Sequence, residues 1–505
     1  MIIVRNFPFF SIMICMFSAI VSSILSSKAA RYVTRAALLV VSVLSAIVLY
    51  FTHQSGESFV YLMGHFPAPW GNEIRAGELE ALMALFISVI ALFSVMAGMQ
   101  AVLKDVEEDK QNLYFILVDL MTASIISMIY TNDLFTGYVF IEINTIAGCG
   151  LIMIRQVGKS IVTAMRYMVI SLIGSGLFLI GLTMLYTISG HLLMSNIQES
   201  VRILENNDKY AVTLTVIVGL ITVGLAIKSG LFPFHLWIPD AYGYSNVASS
   251  SLLSSIVSKG YILLLIKIFY RVIGFDIIIK SGIYMILFVF GVTAMIMGSV
   301  FAIHEDNIRR MIAYSSIAQI GYIYMGLGLG TKAGTVAALF HIISHGSTKS
   351  LLFLASAEFT EGSHSKKFSQ LYGKGRKYRG SALCYSVGAF SMVGFPLLAG
   401  FISKLQFADA AVGFRGRMFI ALAALAVSTI LNSIYFLRSV IILYSADIKS
   451  TEKKNEETYL EGGSSLSAKL QYFGSIGALV VINFILGIKA QTILDIISKG
   501  LDVFD

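Results

Sequence analysis

The sequence predicts an all-α integral membrane protein with about fourteen transmembrane helices. Of its 505 residues, 56% are hydrophobic and only 13% are charged, fractions far from those of soluble domains. The apolar residues occur in runs of about 20, the length at which an α-helix crosses the hydrocarbon core of a bilayer. Strands of a membrane barrel would instead alternate in polarity over about 10 residues. The long runs therefore predict helices.

Polar or basic breaks separate the apolar runs into individual spans. The first run follows Arg5 and could imitate a signal peptide, but it is long and has no good small-x-small cleavage site, so we interpret it as a retained span. The predicted spans are residues 7–26, 36–51, 81–102, 111–130, 133–154, 164–189, 211–229, 245–270, 280–302, 311–330, 333–357, 381–411, 417–445 and 470–495.

Basic residues recur on one side of the predicted membrane. The formal net charge of +8 therefore reports topology and excludes a nucleic-acid ligand as its explanation. The basic groups are Lys28, Arg31 and Arg35; Arg155, Lys159 and Arg166; Arg309 and Arg310; and the run "KKFSQLYGKGRKYR". If this side is cytoplasmic, the chain is a multi-pass protein of a prokaryotic plasma membrane with both termini outside.

The connections between spans are too short to form an independent catalytic domain. The longest are 52–80, 190–210, 358–380 and 446–468. Cys15, Cys149 and Cys384 lie far apart in apolar segments without metal-ligand spacing, so the sequence predicts no metal and no cofactor. We divide the chain into N-terminal helices 1–3 with an outside loop (1–110), two five-helix units (111–270 and 280–445), and a polar loop with a C-terminal helix (446–505).

Two spans are interrupted by glycine and proline. "KSGLFPFHL" places Gly230 and Pro233 at the end of the seventh span, and "SMVGFPLLAGFISKL" places Gly394, Pro396 and Gly400 inside the twelfth. Such breaks persist at membrane depth only where protein or water satisfies the freed backbone groups. Their separation of about five helices fits two copies of one unit, which indicates a transport site between repeats. An ordinary proline kink is the alternative for either segment alone.

Ionisable side chains occur inside the apolar runs, where a charge costs at least about 2.5–3.5 kcal/mol and usually faces a partner or a water-filled path. A snorkelling or structurally paired residue is the alternative at each position, above all at Lys349 and Lys404 near predicted helix ends. The candidates for a proton pathway are Glu142, Lys228, Lys259, His341, His345, Lys349 and Lys404.

His341 and His345 are four residues apart and so share one helix face. The segment "HIISH" lacks the glutamate of a zinc-binding HExxH motif, which favours a proton relay over a metal site. Helix–helix hydrogen bonding remains an alternative.

A glutamate and a lysine together supply a mechanism. At about 4 Å and an effective dielectric near 20, such a pair interacts by about 4 kcal/mol. A nearby carboxylate favours the charged form of a buried lysine. Making or breaking a Glu–Lys pair would therefore switch the lysine between holding and releasing a proton.

Four segments resemble the proton-pumping membrane subunits of complex I and of the Mrp multisubunit cation/proton antiporters. They are "IKSGLFPFHLWIPDAYGYSNVASSSLLSSIVSKGYILLL", "RRMIAYSSIAQIGYI", "HIISHGSTKSLLFL" and "GFPLLAGFISK". The outside segment "GHFPAPWGNEIRAGELEALM" is similar to the D-type Mrp subunit and its relatives in membrane-bound hydrogenases. The resemblance covers residues 55–445 and implies fourteen helices with two inverted five-helix repeats, each with a broken helix.

The resemblance also implies roles for individual residues. Glu142 matches the fifth-helix glutamate, Lys228 the seventh-helix lysine paired with it, and Lys259 the eighth-helix connecting lysine. His341 and His345 match the eleventh-helix relay. Lys404 matches the terminal twelfth-helix lysine. Together they would form a charged axis in mid-membrane.

One segment departs from the family. Family members usually have a histidine after "PDA" and prolines shortly beyond, where this chain has Tyr242 and "SNVASSS". The departure puts the wetting of the eighth-helix entrance in doubt, and with it the direction or efficiency of proton uptake.

The predicted function is a proton-translocating subunit, with sodium as a candidate coupled ion, working with other membrane subunits in the lipid bilayer. The complex is either an Mrp-type antiporter or a redox-driven complex of the NADH:quinone oxidoreductase or membrane-bound hydrogenase type. The chain has no flavin, nicotinamide or iron–sulfur motif, so redox chemistry would belong to partners. A non-conducting subunit needed for assembly is the alternative.

Overall fold

The computed structural model describes residues 3–67, 71–205, 208–413, 416–446 and 466–502. Most of the predicted polar connection 446–468, and part of the connection 52–80, lie outside the described residues. The described part of the chain is a bundle of helices with one small hairpin of strands.

The first half of the chain contains the hairpin and the first broken helix. Its elements are α1 (Phe7–Ile24), α2 (Ser27–Ser55), β1 (Phe59–Leu62), β2 (Glu73–Ala76), α3 (Glu78–Asp105), α4 (Gln111–Tyr130), α5 (Leu134–Met153), α6 (Gly158–Ser189), α7 (Met194–Glu205), α8 (Ala211–Ser229), α9 (Ile238–Tyr244), α10 (Val247–Leu252), a π-helical turn (Leu253–Val257) and α11 (Ser258–Ile268).

The second half contains the second broken helix and two C-terminal helices. A second π-helical turn (Phe269–Ile273) leads to α12 (Phe275–Lys280), α13 (Ile283–His304), α14 (Ile308–Gly328), α15 (Lys332–Gly362), α16 (Lys374–Lys377), α17 (Arg379–Val393), α18 (Ala399–Val412), α19 (Met418–Tyr444), α20 (Leu466–Ile488) and α21 (Ala490–Asp502).

Within the described residues, 11 helical segments are long and apolar enough to cross a membrane. The predicted spans 311–330, 333–357 and 381–411 are not among them. The last of these is divided by its break into α17 and α18, of 15 and 14 residues. The fold is therefore that of a mostly helical, multi-pass membrane protein, and the number fourteen remains a prediction.

Three regions contain structure that the sequence did not predict. The connection 52–80 contains β1 and β2, which pair antiparallel with Phe59 opposite Ala76. The connection 190–210 contains the amphipathic helix α7, which buries Met194, Ile197 and Val201 at helical spacing. The last predicted span, 470–495, is two helices that meet at Lys489. Polar composition concealed the first two, because a short element needs only one apolar face.

Several basic residues assigned to connections lie within helices. Lys28, Arg31 and Arg35 lie in the first three turns of α2, and Lys159 lies in the first turn of α6. Arg166, already within the predicted span 164–189, lies in the third turn of α6. These helices begin before their apolar runs do, since long basic side chains can extend from a helix end towards water.

Charged residues at the ends of several helices form a cluster at one end of the bundle, where many of the basic residues lie. Arg155 Nε lies 3.3 Å from Asp105 Oδ2, and Arg309 Nη2 lies 3.2 Å from Glu361 Oε1. Lys104 Nζ lies 3.9 Å from the second oxygen of Glu361. Arg155 and Arg309, which the sequence predicts on the same side of the membrane, therefore lie at the same end of the helix bundle.

Glycines allow the closest helix contact beside the first break. A Cβ on Gly174 of α6 would lie 2.8 Å from the carbonyl oxygen of Gly224 in α8 and 3.1 Å from Cγ of Lys228. A side chain at Gly174 would thus push α6 away from α8. This contact encloses the stem of Lys228.

Candidate functional site

Helix α8 ends at Ser229, directly after Lys228. Gly230 follows with φ 79°, a left-handed conformation that ends the helix and that glycine adopts without strain. The chain then turns through Pro233 and re-forms as α9. This geometry holds Lys228 in the last turn of α8, at an interruption inside the bundle.

Lys228 meets a carboxylate and a hydroxyl from α5. Its Nζ lies 4.0 Å from Oε1 of Glu142 and 2.6 Å from Oγ1 of Thr145. The lysine side chain is fully enclosed, whereas the Glu142 side chain is 25% exposed. Lys228 therefore donates a hydrogen bond to the Thr145 hydroxyl. Its pairing with Glu142 is loose, because 4.0 Å is at the limit for an ion pair and too long for a hydrogen bond. A small movement would make or break that pair.

Tyr261 connects this pair to α11. The Lys228 ammonium lies 5.6 Å from the centre of the Tyr261 ring, within the range of a cation–π interaction. The Tyr261 hydroxyl in turn accepts a hydrogen bond of 2.9 Å from Nδ2 of Asn144. Lys259 lies two residues before Tyr261 on the same helix.

Lys259 is fully buried and donates to the backbone carbonyl of Ser254. Ser254 belongs to the π-helical turn before α11. A π-turn leaves backbone carbonyls without their usual helical partners, and such turns occur frequently at functional sites. The turn therefore supplies an acceptor for an ammonium group that would otherwise be buried alone.

Lys349 is enclosed as well. It donates to the carbonyl of Ile312 at 2.8 Å and to the hydroxyl of Ser315, both in α14. Snorkelling is excluded for this residue because α15 continues to Gly362 and Lys349 has no exposed surface. The next residue, Ser350, completes a hydroxyl triangle with Ser94 and Ser251, all three separations being 2.9 Å.

His341 and His345 lie on α15, which packs against α3 and α10 as well as α17 and α18. Their rings are parallel within 1°, with centroids 5.6 Å apart, as expected for residues four apart on one helix. Nδ1 of His341 lies 2.6 Å from the Ser403 hydroxyl of α18. Both nitrogens of His345 are buried and have no hydrogen-bond partner among the described residues. Lys259 is close enough to act electrostatically on both histidines.

The second break positions Lys404. Helix α17 ends at Val393, and Gly394 has φ 100°. From α18, Lys404 reaches back and donates to the Val393 carbonyl at 2.7 Å. Its ammonium also lies 5.9 Å from the centre of the Tyr322 ring, which stacks on His341. The carbonyl freed by the helix break is therefore capped by a lysine.

These neighbours form a discontinuous series across the bundle. Contacts join Glu142, Lys228 and Tyr261, and separately join His345, His341, Tyr322 and Lys404. Lys259 lies two residues before Tyr261 on α11, and Lys349 lies one turn after His345 on α15. No direct hydrogen bond between successive ionisable groups is recorded among the described residues, so waters would have to bridge the gaps.

The departing segment "SNVASSS" is buried and hydrogen-bonded. Asn246 caps α10 by accepting from the backbone N–H of Ala248, and its Nδ2 donates to Asp105 at 2.9 Å. The Tyr242 hydroxyl lies 3.2 Å from the Ser258 hydroxyl, next to Lys259. In this chain, buried hydroxyl and amide groups thus occupy the segment that precedes Lys259 in sequence.

Sequence reasoning missed three buried charges near the opposite end of the bundle. Glu80 and Arg271 form an ion pair of 2.6 Å, with both side chains 3% exposed. Lys267 donates to the carbonyls of Ile129 and Thr131, where α4 ends. All three residues lie in or beside apolar runs, the same signal that identified Lys259. Asp119, in the middle of α4, was missed in the same way.

The described residues contain no group of three or more His, Cys, Asp or Glu side chains that could hold a metal ion. The two parallel histidines therefore have no third ligand of these types within the described ranges. What the site offers is a set of proton-binding groups.

Two broken helices with enclosed lysines in a multi-pass helical chain are features of a membrane transport protein. The chain belongs to the family described as NADH:quinone oxidoreductase/Mrp antiporter, transmembrane, which matches residues 131–432. The matched region contains Glu142, both helix breaks and every other candidate pathway residue. The family resemblance and the antiporter-like class of proton-translocating subunit are thereby confirmed.

Relatives of two kinds match most of the chain. NADH-quinone oxidoreductase subunit N of Desulforudis audaxviator is 31% identical over 86% of this chain and 85% of its own. The D-type subunit of the Na(+)/H(+) antiporter of Alkalihalophilus pseudofirmus is 27% identical over 90% and 87%, respectively. A chain in the structure of the Mrp complex from Dietzia sp. DQ12-45-1b aligns with a TM-score of 0.86 and 21% identity, covering 100% of this chain and 98% of that one.

Proposed function

We propose that this chain moves protons across the membrane as one subunit of a larger membrane complex, along Glu142, Lys228, Lys259, the two histidines and Lys404. The distance of 4.0 Å between Glu142 and Lys228 carries the proposal. An isolated buried ammonium would be strongly disfavoured, and a purely structural ion pair would be closer. An intermediate distance suits a pair that forms and separates during transport.

The switching step follows from elementary electrostatics. At the observed separation of 4.0 Å, Glu142 stabilises the charged lysine by about 4 kcal/mol at an effective dielectric near 20. When Glu142 moves away, burial favours the neutral amine, and the proton passes towards Tyr261 and Lys259. The Thr145 hydroxyl accepts a hydrogen bond from Lys228 in both arrangements.

Two inverted five-helix repeats, 111–270 and 280–445, would hold this path at their centre. The α8–α9 break in the first unit and the α17–α18 break in the second occupy corresponding places, and each has a lysine beside it. Broken helices in corresponding halves are typical of transport sites near the bilayer midplane. With helices on either side, the units give the predicted total of about fourteen spans.

The basic end of the bundle would face the cytoplasm, with both termini outside, in a prokaryotic plasma membrane. The concentration of lysines and arginines at that end supports this orientation. Sodium is a candidate coupled ion, because one relative is named as part of a Na(+)/H(+) antiporter.

The lysine and acid can be tested in membrane vesicles that contain the native complex. Lys228→Ala and Glu142→Gln should each slow ΔpH-linked transport strongly, to a residual rate that can still be measured, while the complex still assembles. Lys280→Ala is the matched control, because that lysine is 70% exposed and pairs with Glu205 at the surface. Wild-type transport by both axis variants would contradict the proposal and leave a non-conducting assembly role.

The type of complex can be identified by purifying the tagged chain in mild detergent and analysing bound proteins by mass spectrometry. Relatives of both kinds support the two alternatives. Hydrophilic iron–sulfur or nickel–iron subunits would identify a redox-driven complex. Small membrane subunits alone would identify an Mrp-type antiporter.

A further inference from the structure

A second ionisable site lies outside the proposed proton path, in the bundle of α1, α2 and α4. These helices pack against one another. Asp119 is the ninth residue of α4, about 12 Å along the helix from its first residue at 1.5 Å per residue. It has no exposed surface.

Hydroxyl groups from two other helices converge on this carboxyl group. Ser18 of α1 and Thr34 of α2 donate to Oδ2 of Asp119 at 2.5 and 2.8 Å. Both hydroxyls are themselves buried. Three side-chain oxygens from three helices thus meet at one point at membrane depth.

The second carboxyl oxygen, Oδ1, is buried and has no hydrogen-bond partner among the described residues. No charged side chain in the described ranges acts on Asp119 from α1, α2, α3 or α5. The titratable group recorded beside it is the buried thiol of Cys15. Arg35, next to Thr34 in sequence, directs its guanidinium to Gln471 instead.

A buried carboxylate without a cation is strongly disfavoured. The group must therefore hold either a proton or a positive ion at Oδ1. Intramembrane carboxyl groups commonly mark ion or proton sites, and oxygen ligands from a carboxylate and hydroxyls suit hard cations.

We propose that Asp119, Ser18 and Thr34 form a second monovalent-cation site that binds and releases H⁺ or Na⁺ independently of the Glu142–Lys404 path. Both ions satisfy Oδ1 in the same way, by placing positive charge where the described chain supplies none. The site lies between α1, α2 and α4, whereas the central lysines and histidines are carried by other helices, α8, α11, α15 and α18.

The test is infrared difference spectroscopy of the purified, reconstituted complex. The spectrum of Asp119→Asn is subtracted from that of the unsubstituted complex, which isolates the carbonyl stretch of a protonated Asp119. Spectra are recorded from mildly acidic to alkaline pH, in sodium chloride and in choline chloride. Lys228→Ala serves as a control that disrupts the central path and should leave this band unchanged.

The proposal predicts a band that disappears reversibly. Loss with rising pH in both salts identifies a proton site, and loss on sodium addition at constant pH identifies a sodium site. A band that is unchanged across pH and salt shows a permanently protonated structural carboxyl and overturns the proposal. Absence of the band under every condition also overturns it.

A second pair of variants covers the case in which Asp119→Asn does not assemble. Thr34→Val and Ser18→Ala each remove one hydroxyl from Oδ2 and keep the carboxyl group. Either should shift the pH or sodium concentration at which the band is lost. Ser42→Ala, also on α2 but bonded to its own helix at Leu38, should not.

Discussion

The ammonium nitrogen of Lys228 lies 4.0 Å from the nearer carboxylate oxygen of Glu142, across the interface between α8 and α5. The lysine is enclosed, while the glutamate retains partial access to its surroundings. The two residues are 86 positions apart in sequence, and Lys228 lies in the last turn of α8, two residues before the C-cap Gly230.

Thr145→Val should slow transport by about tenfold or more, because hydrogen bonds to charged groups contribute about 1.5–3 kcal/mol. The variant keeps the shape of the side chain and removes the acceptor that lies 2.6 Å from Lys228. The initial rate of ΔpH formation in vesicles measures the effect. Thr215→Val is the control, since Thr215 is exposed and bonds within α8. Equal rates for both variants would show that Thr145 does not support Lys228.

Gly394→Ala should lower both stability and transport. A non-glycine residue in a left-handed conformation costs about 1–3 kcal/mol, and the new Cβ would lie 3.1 Å from Cδ of Lys404. The variant therefore displaces Lys404 from the Val393 carbonyl. Thermal unfolding in detergent and vesicle transport measure the two effects. Gly219→Ala, where a Cβ meets nothing within 4 Å, should be neutral or slightly stabilising, and a similar loss there would contradict this account.

Arg271→Met should destabilise the chain by about 3–5 kcal/mol, because it leaves the buried Glu80 without its partner. The double variant Glu80→Gln with Arg271→Met should recover much of that loss, since neither member of the pair is then left charged without the other. The free energy of unfolding in mixed micelles provides the measurement. Lys280→Met breaks an exposed pair and should change it by about 0–1 kcal/mol. No recovery in the double variant would show that Arg271 acts through other contacts.

Lys366 should make stability depend on pH. Burial, with repulsion from Arg309 and Arg155, lowers the pKa of Lys366 to about 6 from 10.5. Between these values the unfolded chain binds the proton and the folded chain releases it, so this residue's contribution to stability rises with pH. The thermal unfolding midpoint of Lys366→Met minus that of wild type should therefore be most positive near pH 6 and should decrease towards pH 10.5.

The neighbouring Lys367 is exposed and supplies the control for that experiment. Lys367→Met should show no such slope relative to wild type. A flat difference for Lys366→Met over the same range would contradict the lowered pKa. The hydrogen bond from Lys366 to the Gly243 carbonyl affects the size of the difference, so the slope with pH is the informative quantity.

The sequence predicted the membrane-helical class and both broken helices, because apolar runs and Gly–Pro interruptions are local signals. It identified Lys228 for the same reason. It could not predict Thr145 or Tyr261 as partners, since those contacts depend on how α5 and α11 pack against α8. The enclosure of Lys349 was also hidden, because the length of α15 beyond its apolar run is set by packing.

Other omissions were avoidable. Asp119 and Lys267 interrupt apolar runs just as Glu142 does, and a uniform search for charges in such runs identifies them. Helix α7 repeats apolar residues at positions 194, 197 and 201, a helical period within a polar segment. The hairpin of β1 and β2 has no comparable signal, because two strands of four residues are too short to show a pattern.

A double-mutant cycle measures whether Glu142 and Lys228 act as one unit in proton movement. Initial rates of ΔpH formation would be measured in vesicles for wild type, Glu142→Gln, Lys228→Met and the double variant, normalised to the amount of assembled complex. The account predicts that the double variant is no slower than either single variant, because each already removes the switch. Losses that multiply in the double variant would show that the two residues act independently and would contradict the account.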